Sequence, residues 1–190
     1  MTIPSLQTSY LVGGTALALK FGHRISLDLD LFHQEEIDKT ILIKELVEKF
    51  GDNFNYVGSP ESFGLFCFIN NVKVDILKYP HKQIKDQETI EGIRFYHTDD
   101  IVAMKINAIL GRGRKKDFWD LAELLNHYSV AEIIKLHKQK FPNQMLLISI
   151  PQVLTYFNDA NESEDPVSLK GQTWESVKQT IRKAVNEYLK

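Results

Sequence analysis

Cysteine is scarce here: Cys67 is the only one in 190 residues, which excludes an intrachain disulfide and suits a reducing compartment. Its neighbours, Gly64-Leu65-Phe66 and Phe68-Ile69, read as a strand interior, so a buried structural thiol is expected. Long apolar runs are missing too. No stretch of about 18 apolar residues marks a membrane span, and no basic start followed by an apolar run and a cleavage site marks a leader. A cytoplasmic protein without membrane association is the expectation. Excess positive charge is also absent: the net charge is −2 and the pI near 6.3, which argues against a whole-surface nucleic-acid binder but leaves room for a local basic patch. The histidines lack His-x-x-x-His or paired-Cys spacing, so a zinc site is not expected. No Gly-x-Ser-x-Gly elbow or activated cysteine suggests a hydrolase.

What is present is ordinary globular composition, 43% hydrophobic and 25% charged, enough for one core with a helical extension. The chain is organised around Leu11–Phe32, LVGGTALALKFGHRISLDLDLF. Tyr10-Leu11-Val12 predicts a short strand cut off by Gly13-Gly14, and Thr15 is placed to cap the helix that follows. Gly22 ends that helix. Leu27, Leu29 and Leu31 then alternate with Asp28, Asp30 and Phe32, a strand whose two carboxylates face the same way.

Further on, an amphipathic helix is expected over 38–50, with Ile41, Leu42, Leu46, Val47 and Phe50 inward. Two strands follow, Phe63–Ile69 and Val72–Leu77, turned by Asn70-Asn71. The second carries Asp75 on the face opposite Val74 and Ile76. Ile90–Tyr96 reads as one more strand. From Thr98 the pattern is helical, with Thr98, Asp99 and Asp100 at the first turn and Ile101, Met104, Ala108 and Ile109 as the apolar stripe. Gly111-Arg112-Gly113 interrupts it before a helix over 117–125. Ser129 with Glu132 forms a capping box for a helix to Phe141. Another helix is expected from Asn143 to Phe157, then a polar mobile loop over 158–173, and a last helix carrying Trp174, Val177, Ile181, Ala184, Val185 and Tyr188 on one face.

These residue types point to phosphate chemistry. Glycines admit a close ligand, and a helix N-terminus offers free N–H groups to phosphate. Carboxylates on neighbouring strands suit hard divalent cations, and nucleotidyl transfer uses two Mg²⁺ held that way. Asp28 and Asp30 on one strand with Asp75 from another make such a set; a solvated edge-strand face is the alternative for Asp-Leu-Asp alone. Ser26 can bond a phosphate or the backbone. His23 reads as a phosphate-side cation or as a structural hydrogen-bonder. Lys105 sits in an apolar helix, where a lysine either snorkels or meets a phosphate. Arg112, Arg114, Lys115 and Lys116 fall within Gly111–Lys116 and can contact RNA phosphates or remain a solvated loop. Asp117 and Asp120 share a helix face.

Gly13-Gly14, thirteen residues from Thr15 to Leu27, then Asp28-Leu29-Asp30 resembles the nucleotidyltransferase signature of the DNA polymerase beta superfamily. More narrowly, the segment resembles the first motif of the AbiEii/AbiGii-type nucleotidyltransferase toxins. The resemblance continues through VKVDIL (Val72–Leu77) and DIVAMKINAILGRGRKKDFWDLAELL (Asp100–Leu125). Over most of residues 11–125 it implies an α+β minimal nucleotidyltransferase fold, a small mixed β-sheet flanked by helices; with the change to helical pattern at Thr98, the expected division is a core over residues 1–97 and a helical C-terminal part over 98–190 packed on it. It implies that Asp28, Asp30 and Asp75 hold Mg²⁺ and serve catalysis together with Lys105. The nucleotide-binding set it implies is Gly13, Gly14, Thr15, Arg24, Ser26 and Lys105. His23, Arg112, Arg114, Lys116, Asp117 and Asp120 are expected around the acceptor or in support, with Asp117 and Asp120 orienting Lys105 or the basic loop, or else serving as first-turn acids favoured by the helix dipole. The implied function is Mg²⁺-dependent transfer of a nucleoside monophosphate from an NTP to a hydroxyl, as the toxin of a toxin–antitoxin or phage-defence pair acting on RNA such as tRNA, with a cognate antitoxin as partner. A small-molecule, antibiotic-type transferase and a non-catalytic nucleotide- or partner-binding member of the fold are the alternatives.

Overall fold

The computed structural model describes residues 2–58 and 62–190. Seven strands form one mixed sheet in the order β3-β4-β5-β2-β1-β7-β6: β1 (Tyr10–Val12), β2 (Leu29–His33), β3 (Phe54–Val57), β4 (Gly64–Ile69), β5 (Val72–Lys78), β6 (Glu88–Ile90) and β7 (Ile93–Phe95). The helices are α1 (Gly13–Phe21), α2 (Lys39–Phe50), α3 (Thr98–Gly111), α4 (Lys115–Leu124), α5 (Val130–Lys140), α6 (Ile150–Leu154), α7 (Asn158–Asn161) and α8 (Trp174–Tyr188). This is the expected α+β arrangement of a mixed sheet flanked by helices. A single buried apolar cluster runs from Leu6 and Leu11 through Val74, Ile101 and Leu121 to Ile181 and Val185, so the helical half shares the core of the sheet.

The centre of the sheet is set by β2, antiparallel to β1 and parallel to β5. The β4–β5 hairpin turns at Asn70 and Asn71, whose φ values of 50° and 64° are the left-handed pair that its two-residue turn requires. Val74 and Ile76 are buried in the core, which directs Asp75 to the other face.

Local details depart from the sequence reading. Ile90–Tyr96 is not one strand but the end of a hairpin, β6–β7, turned by Glu91 and Gly92 at φ 49° and 79°. β2 begins at Leu29, not Leu27, and Leu27 is exposed. In α2 only Leu42 and Leu46 are buried, while Ile41 and Val47 face solvent, because the helix covers one margin of the sheet. Thr15 does not cap α1; it lies within the helix. The cap of α3 is His97, whose side chain accepts from Asp99 N–H, while Thr98 takes a hydrogen bond from Lys20 Nζ.

The region after α5 is corrected most. Only Ile150–Leu154 of the expected 143–157 helix forms. Pro151 has no N–H to give the Leu147 carbonyl, so a helix can start at this proline but not pass through it. Residues 158–173 are not an open loop. They contain α7 and a backbone ribbon in which Ile25 N–H donates to Val167 O and Leu169 N–H donates to His23 O, both at 2.9 Å. Trp174 closes the segment by stacking on Trp119 and donating Nε1–H to Asn161.

Candidate active site

Asp30 of β2 and Asp75 of β5 are register partners on adjacent parallel strands. Their side chains leave the same face of the sheet, side by side. Burial, then the neighbouring Asp75 charge, raises the Asp30 carboxyl above the ordinary range. Asp75 Oδ1 is buried without a hydrogen-bond partner, while its Oδ2 pairs with Lys73. Asp28 lies just ahead of β2, half-exposed, with Lys116 Nζ 3.5 Å away.

Asp28 and Asp30 line a cleft of about 270 Å³ together with Gly13, Gly14, Thr15 and Ser26. Asp75 flanks it from the next strand rather than lining it. Gly13 and Gly14 open α1 and line the cleft, which puts the N-terminal end of that helix, where first-turn N–H groups lack helical partners, at its wall. The glycines are also required by protein packing. Gly13 has φ 72°, and a Cβ there would collide with Asp30 Oδ2; a Cβ at Gly14 would collide with the Arg24 guanidinium. Thr15 donates its hydroxyl to the Asp28 carbonyl and lies 2.8 Å from Ser26 Oγ, tying the acidic strand to the helix.

Behind the cleft lies a buried ionic network. Lys105 Nζ sits 2.9 Å from Asp117 and 2.8 Å from Asp120. Arg24 meets Asp120 in a two-point contact, Nε at 2.6 Å and Nη2 at 2.9 Å, and His23 Nε2 is 2.8 Å from the same carboxylate. Desolvation pulls the Lys105 pKa down, but the two aspartates outweigh it and hold the ammonium above its ordinary value. For Asp117 and Asp120 desolvation acts upward, and Lys105 with its hydrogen-bonding neighbours keeps both below the ordinary carboxylate range. His23 is fully buried and serves this network. Lys105 and Arg24 touch the cleft but their charges are already matched by Asp117 and Asp120.

The basic loop divides. Arg112 and Lys116 line the cleft. Arg114 and Lys116 line a second depression of about 440 Å³ that shares Arg24, Ser26 and Asp28 with the first. Lys115 instead pairs with Asp165 at 2.7 Å. Sequence reasoning missed the far wall: Ile101, Met104 and Ala108, read as core stripe, border the cleft with Phe32, Tyr79 and Asn107. Their spacing along α3 places them on one face, a signal that core and cleft share. Among the described residues, no three His, Cys, Asp or Glu side chains already converge as ligands of one ion. No helix among them is long and apolar enough to cross a membrane.

The mixed seven-stranded sheet flanked by helices is the α+β fold of nucleotidyltransferase toxin structures. Solved structures share it: JHP933 from Helicobacter pylori aligns with TM-score 0.62 at 17% identity, covering 96% of this chain and 84% of its own. MenT4, a nucleotidyltransferase toxin from Mycobacterium tuberculosis H37Rv, aligns with TM-score 0.59 at 12% identity, covering 94% and 75%. The family described as nucleotidyl transferase AbiEii toxin, type IV TA system, matches residues 4–186, and the chain belongs to that family of nucleotidyltransferases. An uncharacterised protein of Aquifex aeolicus (strain VF5) is 33% identical over 187 residues, covering 95% of this chain and 87% of the relative.

Proposed function

We propose that the protein moves a nucleoside monophosphate from an NTP to a hydroxyl of RNA with Mg²⁺ bound, as the toxin of a toxin–antitoxin pair in the cytoplasm. One observation carries the reading: Asp30 and Asp75 lie paired in register beside the Gly13–Gly14 start of α1. The donor set fits a hard cation. Asp30 is raised by burial and by Asp75, and a buried Asp75 oxygen lacks any partner; a divalent ion relieves both. Asp28, Asp30 and Asp75 are the residues that would hold Mg²⁺, which supplies neutralisation of charge on the transferring phosphoryl group. Since few protein ligands converge beforehand, substrate phosphates would complete the coordination, the usual habit of this ion.

The chain's own residues do the rest by positioning. Gly13 and Gly14 N–H groups hold the triphosphate against α1, with Ser26, Arg112 and Lys116 adding donors. The acceptor hydroxyl oxygen bonds to the α-phosphorus as the bond to the bridging oxygen breaks and pyrophosphate leaves. Its proton passes to Asp75 Oδ2 once Lys73 has released that oxygen. Arg114 and Lys116 in the second depression support an RNA acceptor, whose phosphates they would meet. The family description supports an antitoxin partner.

The test is to incubate purified protein with Mg²⁺ and each α-labelled NTP against separated RNA, protein and small-molecule fractions. Label entering RNA, and lost on neutralising Arg114 and Lys116, is expected. Label entering only small molecules would replace RNA by an antibiotic-type acceptor, and no label in any fraction would contradict transfer.

A further inference from the structure

We propose that Phe32 and Tyr79, faced by Met104 and Asn107 of α3, form the nucleobase subsite of the cleft, with Asn107 deciding which base is accepted. The inference rests on the proposed NTP reading and names the part of the substrate that the phosphate end leaves unaddressed.

Three observations converge. Phe32 follows Asp30 by two residues on β2, so it faces the same way about 7 Å along the strand, the span a ribose fills between a phosphate and its base. Its ring stacks on Tyr79 with centroids 4.8 Å apart and planes at 27°. The two half-buried rings pack against the edge of the core and line the cleft. Tyr79 is fixed from its other contacts: its N–H donates to His33 O at 2.8 Å, and Lys140 Nζ lies 5.2 Å from its ring centre. A rigid aromatic step of this kind holds any base by its π-face.

Selectivity needs a polar group, and among the cleft-lining residues at this end Asn107 carries one. Its Oδ1 accepts from Gln144 Nε2 at 2.9 Å, which leaves the amide N–H groups free to donate to a base edge. Asn107 is half-buried and lines the cleft three residues from Met104 on α3, which places both on one helical face. Lys105, between them in sequence, points instead into the ionic network.

Calorimetry with Mg²⁺, comparing each of the four NTPs with inorganic tripolyphosphate, separates base from phosphate recognition. For Phe32→Leu, checked by circular dichroism for an intact fold, NTP affinity falls about tenfold while tripolyphosphate affinity is unchanged. Asn107→Asp, which keeps an acceptor for Gln144 but removes the donor, reorders the four NTPs. NTP affinities and their order unchanged in both variants would overturn the base subsite while leaving the phosphate site standing. A parallel fall for tripolyphosphate would overturn it equally. Wild-type protein binding neither NTP nor tripolyphosphate would overturn the nucleotide site and the subsite together.

Discussion

Asp30 shows how the site sets residues against their own stability. Its carboxyl is desolvated and lies beside Asp75, so ionising it in the folded protein is unfavourable. Because its folded pKa is raised, that penalty is absent at low pH and grows as pH rises through the folded value. Asp30→Asn is therefore expected to raise the melting temperature at neutral pH while eliminating transfer; a lower melting temperature would contradict the electrostatic account. The same shift makes cation binding proton-competitive, so Mg²⁺ affinity is expected to fall on acidification at a pH above that of an ordinary aspartate. Cys67, 2% exposed, is pushed up to about 11 by burial and then by Asp75. At neutral pH it stays a thiol and is expected to resist iodoacetamide until the protein unfolds. At Gly13, alanine would need φ 72° and would strike Asp30. Gly13→Ala is expected to cost about 1–2 kcal/mol in urea unfolding and to weaken NTP binding.

At the scale of elements, α3 and α4 are joined through charge. Replacing Lys105 by Met leaves Asp117 without its lysine in a buried setting, and breaking such a pair costs about 3–5 kcal/mol; urea denaturation measures it. Local elements were legible where a local rule governs them: the Asn70-Asn71 hairpin, the Gly22 stop, the Ser129–Glu132 box and the alternation that sets Asp75 opposite Val74 and Ile76. The β6–β7 hairpin had its signal in Glu91-Gly92, and the shortened α6 had its signal in Pro151. Others had no local signal. The ribbon of Val167–Leu169 against His23–Ile25 joins segments more than 140 residues apart in sequence, and nothing in a polar stretch announces a distant partner. Likewise, a lysine in an apolar helix suggested a phosphate ligand, with Asp117 and Asp120 expected to orient it or the basic loop; the fold shows both aspartates paired with Lys105 itself.

Across the whole molecule, the network makes a plateau of stability against pH. Asp117 and Asp120 have lowered folded values, so their contribution is present above the ordinary 3.8 and is lost as pH falls below it. Lys105 is raised above 10.5, so its share is present below that value and is lost as pH climbs past it. The network's share of the melting temperature should fall only towards the two ends, and Asp120→Asn should flatten the acid limb; an unchanged acid limb would show that other carboxylates govern it. Asp117 and Asp120 sit on α4, so the network that ties this helix to α3 also holds the element that carries Lys116, 3.5 Å from Asp28.

The most direct test of the central claim is transfer of label from α-labelled NTP to RNA by Asp75→Asn beside wild type, with Mg²⁺ and with circular dichroism on both. Paired carboxylates at Asp30 and Asp75 predict a loss of at least about a hundredfold in a protein whose fold is unchanged. Undiminished transfer by the folded Asp75→Asn protein would contradict it.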